Sequence, residues 1–183
     1  APQGTPVDLI GDSNDDAMAP SAPTFTVRRR GLQEKQVTCP GGGTTSVSGT
    51  VYIPSGQLPV YNATVYVPDA NLRPLTPGAN CNCEISGEPI ATALTDASGR
   101  FVIENVPVGS NIPLVIQVGD WRREFDVGTV TACTDNPVAD QTFRLPARQS
   151  EGDIPKIAVA TGRMDALECL VRKLGVDESE FTG

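Results

Sequence analysis

A mainly β fold, a two-sheet sandwich, is what this chain predicts, and three observations predict it. The first is the stretch at 95–109, Thr-Asp-Ala-Ser-Gly-Arg-Phe-Val-Ile-Glu-Asn-Val-Pro-Val-Gly. Asp96 to Gly99 is turn chemistry, because Asp bonds its own backbone two residues on and Gly takes a positive φ. Phe101 and Ile103 then alternate with Val102 and Glu104, the period of a strand with one buried face. The second is that such short alternating runs recur between turn signals from 46 to 145. The third is composition: 183 residues with 18 Gly and 16 Pro, many turns around a core of Val, Ile, Leu and Ala, since aromatics are only 5%.

The elements follow in order. Residues 1–44 form an acidic, Pro-rich tail and arm. Asp12-Ser13-Asn14-Asp15-Asp16 has the ligand types of a calcium loop, but the sixth position holds Ala17 where an EF-hand needs Gly. A disordered tether is the plainer reading of this segment. Phe25 and Val27 share one face of a short run that reads as a linker with two apolar residues or as an arm adding to a sheet edge, in this molecule or in a neighbour. Arg28-Arg29-Arg30 reads as a solvated linker or processing site.

Cys39-Pro40-Gly41-Gly42-Gly43 is a hinge into the first strand, 46–53, where Val47, Gly49, Val51 and Ile53 share a face. A turn at 54–57 leads to a strand at 62–67, with Ala63, Val65 and Val67 opposite Thr64 and Tyr66. The sequon Asn62-Ala63-Thr64 matches the glycosylation pattern, a match common by chance. Residues 68–88 are a long, turn-rich insertion carrying Cys81 and Cys83, and a loop of this length is usually functional or pinned. Strands follow at 90–94 and 100–104, then at 112–118 and 121–127, joined by a two-residue turn at Gly119-Asp120. Trp121, Arg123, Phe125 and Val127 share a face, so Trp121 packs in the core and Arg123 marks a rim or an edge strand. A loop bearing Cys133 precedes the last strand, 141–145. That makes seven strands, the number of a two-sheet sandwich.

Beyond a polar linker the grammar changes, and 148–183 reads as a strand-helix extension. Residues 154–161 read as a strand and 166–174 as a helix, with Asp165 as N-cap, Leu167, Leu170, Val171 and Leu174 on one face, and Gly175 as the stop. One β-α unit cannot bury both its faces. Either it docks on the sandwich or it begins an α/β domain.

Charge, cysteine and histidine bound the function. A net charge of −8 argues against nucleic acid or an anionic membrane as partner. No segment reaches the ~20 apolar residues of a membrane helix, so membrane contact would run through a lipid anchor outside the sequence, as a signal peptide would be. The opening Ala1-Pro2 is what a mature or trimmed product would show. Five cysteines, Cys39, Cys81, Cys83, Cys133 and Cys169, predict an oxidising compartment with two disulfides and one thiol left over. The preferred pairing ties the 68–88 insertion to the rest of the molecule; a thiolate zinc site lacks the usual paired spacing. With no histidine, Ser-His-Asp and Cys-His dyads and His-ligated zinc are excluded, and no catalytic, metal or cofactor-binding residue is assigned. Glu84, Glu88, Asp96 and Asp120 are not placed as an acid-base pair by the sequence, and turns explain Asp96 and Asp120.

Ser46-Val47-Ser48-Gly49-Thr50-Val51, Leu58-Pro59-Val60 with Ala63-Thr64-Val65-Tyr66-Val67, Thr95 to Phe101 and Asn105-Val106-Pro107-Val108-Gly109 together resemble the carboxypeptidase regulatory-like domain, over residues 45–147. The resemblance implies a seven-stranded transthyretin-like sandwich. The Cys-containing insertion, Pro113 to Gly119 with Trp121-Arg122-Arg123, and Glu151 to Pro155 with Ala166-Leu167-Glu168-Cys169-Leu170 are similar to predicted surface lipoproteins of myxobacteria and their relatives. Those proteins continue past the helix into a further domain. In zinc carboxypeptidases the chemistry belongs to a separate domain with His and Glu ligands, so the resemblance carries over no catalytic residue. It implies a non-catalytic bacterial module, secreted or on the cell surface, for adhesion, assembly or display, with envelope proteins, extracellular proteins or glycans as partners. Self-assembly through the N-terminal arm fits the same reading. The alternative is a carbohydrate- or peptide-binding sandwich, with Tyr52, Tyr61 and Tyr66 as the candidate ligand face.

Overall fold

The computed structural model describes residues 31–76, 84–159 and 167–181. Eight strands make two four-stranded sheets: β1 (Ser46–Tyr52), β2 (Thr64–Pro68), β3 (Pro89–Leu94), β4 (Arg100–Glu104), β5 (Pro113–Val118), β6 (Trp121–Asp126), β7 (Asp135–Pro137) and β8 (Phe143–Arg144). One sheet has β1 beside β4, antiparallel, with β7 and β8 each parallel to β1, at its start and its end. The other runs β3-β2-β5-β6, wholly antiparallel. The fold is thus the sandwich that the alternation predicts. The difference is β7, three residues with no alternation to read, which the sequence presents only as the loop bearing Cys133.

The inward-facing rows are those that the period of two selects. Val47 and Val51 of β1, Phe101 and Ile103 of β4, Val65 and Val67 of β2, and Leu114 and Ile116 of β5 meet in one core. Phe143 locks the layers: its ring centroid lies 5.4 Å from that of Phe101 in one sheet and 5.2 Å, edge-on, from that of Phe125 in the other. Gly49 makes room for it, because a Cβ there would stand 2.9 Å from Phe143 Cε2. Trp121 packs against the same core and donates its indole N–H to Pro146 O at 2.9 Å.

The Asp96–Gly99 turn has the predicted geometry. Asp96 Oδ1 accepts from Ser98 N at 2.7 Å and from Arg100 N at 3.0 Å, and Gly99 has φ +72. A side chain at Gly99 would also strike Pro59 Cβ, 2.6 Å away.

The C-terminal extension departs from expectation in its strand. Residues 154–159 form no ladder; chain pairing ends at Asp153, which exchanges two backbone hydrogen bonds with Arg122 on the outer edge of β6. Pro155 lacks the N–H that a ladder would need there. The helix is present as α1 (Leu167–Leu174), ended by Gly175 at φ +94. Its end docks on the sandwich: Ser55 N donates to Leu174 O, Asp177 N donates to Ala147 O, and Val171 and Val176 are buried. The expected N-cap Asp165, the acidic Asp12–Asp16 run and the 24–27 arm lie outside the described residues.

Candidate functional site

Four places carry the chemistry that the sequence raises: the cysteines, the outer face of each sheet, and the loop between β1 and β2. Cys39 and Cys133 form a disulfide across 94 residues, with Cα atoms 5.4 Å apart. The preferred pairing is therefore corrected: the insertion is not tied to Cys39 or Cys133, because these two bond each other. The physical reason is that the Cys39–Gly43 hinge and the loop before β7 meet at the start of β1. There Thr45 Oγ1 accepts from Cys133 N at 2.9 Å, and β7 pairs with β1 from Ser46 onward. Cys81 and Cys83 lie outside the described residues, and Cys169 is an exposed thiol on α1.

The 68–88 insertion is pinned by polar side chains. Its described ends, 69–76 and 84–88, lie on the outer face of the β3-β2-β5-β6 sheet. Ala70 N donates to Gly87 O and Arg73 N donates to Ser86 Oγ. Beneath them Arg122, 3% exposed, donates to Ser86 Oγ, Arg73 O and Asp153 Oδ2, each within 2.9 Å. One buried guanidinium so holds the insertion and the C-terminal linker together, the rigid fork geometry suited to several acceptors at once. Gln117 adds donors to Glu84 O and Gly119 O, and accepts from Tyr66.

This cover corrects the expectation for Tyr66. The tyrosine does point to the polar face of β2, but the insertion closes over that face and leaves it fully buried. Burial pushes its phenol pKa up. Arg122 and Gln117 are the side chains that sequence reading missed; Gln117 was signalled as an amide in an otherwise apolar strand, while Arg122 stands among the other charges of β6 and nothing in the sequence singles it out.

Of the other two tyrosines, Tyr52 is half-buried on the outer face of β1 and donates to Asp140 Oδ1 at 2.9 Å, which raises its pKa. Beside it along β1, Ser46 and Ser48 each donate to a different oxygen of Asp135. Tyr61 stands in the β1–β2 loop, 68% exposed, with Leu58 also exposed in the same loop. The three tyrosines thus do not form one face. Among the described residues, no group of three or more His, Cys, Asp or Glu side chains is placed to hold a metal ion.

Fold and site together define a disulfide-stapled β-sandwich with a pinned insertion. No protein-family model and no curated protein matches the chain. Among solved structures it is similar to a chain of the type II cohesin–X-dockerin complex from Acetivibrio cellulolyticus. To the N-terminal interface mutant it is 19% identical with a TM-score of 0.33, over 60% of this chain and 64% of that one. To the C-terminal interface mutant it is 18% identical with a TM-score of 0.32, over 55% of this chain and 56% of that one. The match spans less than two thirds of either neighbour, and likeness at that level carries no weight for function.

Proposed function

We propose that this chain is a non-catalytic module of the bacterial cell surface or the extracellular space, serving adhesion, assembly or display, and related to carboxypeptidase regulatory-like domains. The observation that carries the reading is the Cys39–Cys133 disulfide, which staples the entry of the sandwich to the loop before its last strands. Such a bond persists in oxidising compartments and is rare in a reducing cytosol. The acidic net charge and the absence of histidine from the sequence fit a module that presents a surface rather than one that runs acid-base chemistry. Its partners on this reading are envelope proteins, extracellular proteins or glycans.

The test is labelling of intact source cells with a membrane-impermeant amine reagent, followed by non-reducing peptide mapping of the recovered protein. The expected result is a labelled protein with a Cys39–Cys133 crosslink. An unlabelled protein with both thiols free would overturn the reading.

A binding function for glycans or extended peptides is favoured by one feature, the exposed Tyr61 and Leu58 at the β1–β2 end. Tyr61→Ala is expected to weaken glycan binding at least tenfold on that reading, while Tyr66→Ala would act only through stability. Equal binding by wild type and Tyr61→Ala, measured by calorimetry, would remove it.

A further inference from the structure

Residues 131–137, which carry β7, are held to the sandwich by polar contacts and one covalent bond. Every residue from Thr131 to Pro137 is exposed except Asn136, which is half-buried, and none enters the core. Asp135 accepts from the hydroxyls of Ser46 and Ser48, and the side-chain amide of Asn136 donates to Ser46 O at 3.0 Å. Ser46 N donates to Thr134 O at 3.1 Å. Hydrogen bonds with water beside them contribute little net stability. Firmer anchors stand on either side. Val130 is 2% exposed and exchanges two backbone hydrogen bonds with Gly109, and Val138 packs against the core. The segment can therefore open as a unit between two fixed points.

The disulfide opposes that opening, and it is approachable from one side. Cys133 is exposed, whereas Cys39 is buried. Cys133 also has φ +57, the left-handed region that a residue with a Cβ holds at a cost. Disulfides that are exposed or strained are the ones most readily reduced. Beside the bond, the buried Thr45 Oγ1 accepts from Cys133 N at 2.9 Å and lies 3.9 Å from Cys39 Sγ. Its own hydrogen can then point at Cys39.

We propose that Cys39–Cys133 is a thiol-operated latch: reduction by a dithiol releases residues 131–137 from the edge of β1 while the rest of the sandwich stays folded. A thiolate of the dithiol attacks Cys133 Sγ, on the exposed side. A bond forms between those two sulfurs, the Cys39–Cys133 bond breaks, and its electron pair leaves on Cys39. Thr45 donates a hydrogen bond to the emerging thiolate until solvent supplies a proton. The second thiol of the dithiol then displaces Cys133. The dithiol ends as a disulfide, oxidised by two electrons, and both cysteines end as thiols. Freed, Cys133 relaxes from its left-handed conformation and β7 leaves β1. That uncovers the Ser46–Ser48 edge of β1, and it opens the cleft that Asp135 to Pro137 line together with Val47, Val127 and Val130. The inference concerns the oxidised chain itself and stands apart from where the module works or what it binds.

The experiment is amide exchange by NMR before and after dithiothreitol, on the full chain with Cys169→Ser, which removes the exposed free thiol. The expected result is that the Ser46 and Cys133 amides, donors to Thr134 O and Thr45 Oγ1, lose their protection on reduction, while the ladder amides of β2 and β5 keep a protection of about a hundredfold or more. Cys39→Ser/Cys133→Ser is expected to show the open pattern without reductant. Brief treatment with glutathione, quenched with iodoacetamide and mapped by mass spectrometry, is expected to place glutathione on Cys133 and the alkyl group on Cys39. Ser46 and Cys133 amides that stay protected in the reduced chain would overturn the proposal. Loss of protection throughout β2 and β5 would overturn it too, in favour of a staple whose opening unfolds the sandwich. Glutathione found on Cys39 instead would overturn the route of attack.

Discussion

Asp177 shows how a single carboxylate secures the end of the chain. Its side chain accepts from Ser179 Oγ and Ser179 N and pairs with Arg148 at 2.7 Å, and these contacts lower its pKa from 3.8 to about 2. A group whose pKa falls on folding stabilises above its unfolded value and loses that contribution as pH drops through the folded one. Docking of residues 176–181 is therefore expected to loosen between pH 4 and pH 2, read from exchange of the Asp177 and Ser179 amides. Asp177→Asn is expected to be loose already at pH 7 and to show no such transition. Gly49 is the opposite kind of residue, one that matters through the absence of a side chain. Gly49→Val would push against both Phe143 and Phe101. It is expected to destabilise the fold by about 1–3 kcal/mol in urea denaturation, the usual range for over-packing. Its place in the inward row was legible from the alternation Val47-Gly49-Val51. Which ring it accommodates was not, because Phe143 comes from the far end of the chain.

The elements that were easy to read are those built on local period. β1 to β4 carry apolar or glycine residues at every second position, β5 is apolar almost throughout, and the turn at 96–99 carries its own chemistry. β7 was invisible because Asp135 to Pro137 has no apolar row; it pairs because the loop is stapled at Cys133 and Asp135 bonds two serines of β1. The insertion was legible as pinned but not as to how. Its fastener is Arg122, one residue into β6 and 3% exposed. Arg122→Met is expected to cost about 2 kcal/mol, less than for a fully enclosed pair, because Asp153 is partly exposed and regains water. The discriminating readout is location: amides at 70–73 and 84–87 are expected to exchange faster, with those of β1 and β4 unchanged. The strand expected at 154–161 fails in its described part for a reason visible in hindsight. Its apolar run has Pro155 at the point where pairing would continue past Asp153.

At the scale of the molecule, the described fold rests on a shared core and, among the described residues, on one covalent closure. Cys39→Ser/Cys133→Ser is expected to lower stability by about 4–5 kcal/mol on the chain-entropy estimate for a loop of 94 residues, measured as a lower denaturation midpoint with a steeper slope, because the denatured chain without the crosslink exposes more surface. The pairing itself lay beyond the sequence: the preferred pairing tied the insertion to the rest of the molecule, and the path of the chain instead put residues 39 and 133 side by side. The same bond governs how the molecule would carry a load. Tension applied along the polypeptide from before Cys39 to beyond Cys133 passes through the sulfur atoms and bypasses everything between them. The four strands of the second sheet, with β1 and β4, then lie outside the force path, while the segment before Cys39, with Leu32 in the core, and β7, β8 and the C-terminal segment can be peeled away. Pulled while oxidised, a single molecule keeps in reserve the ~300 Å of contour that those 94 residues would otherwise release. It behaves as a short, stiff link, and turns extensible only after a reductant has opened the bond.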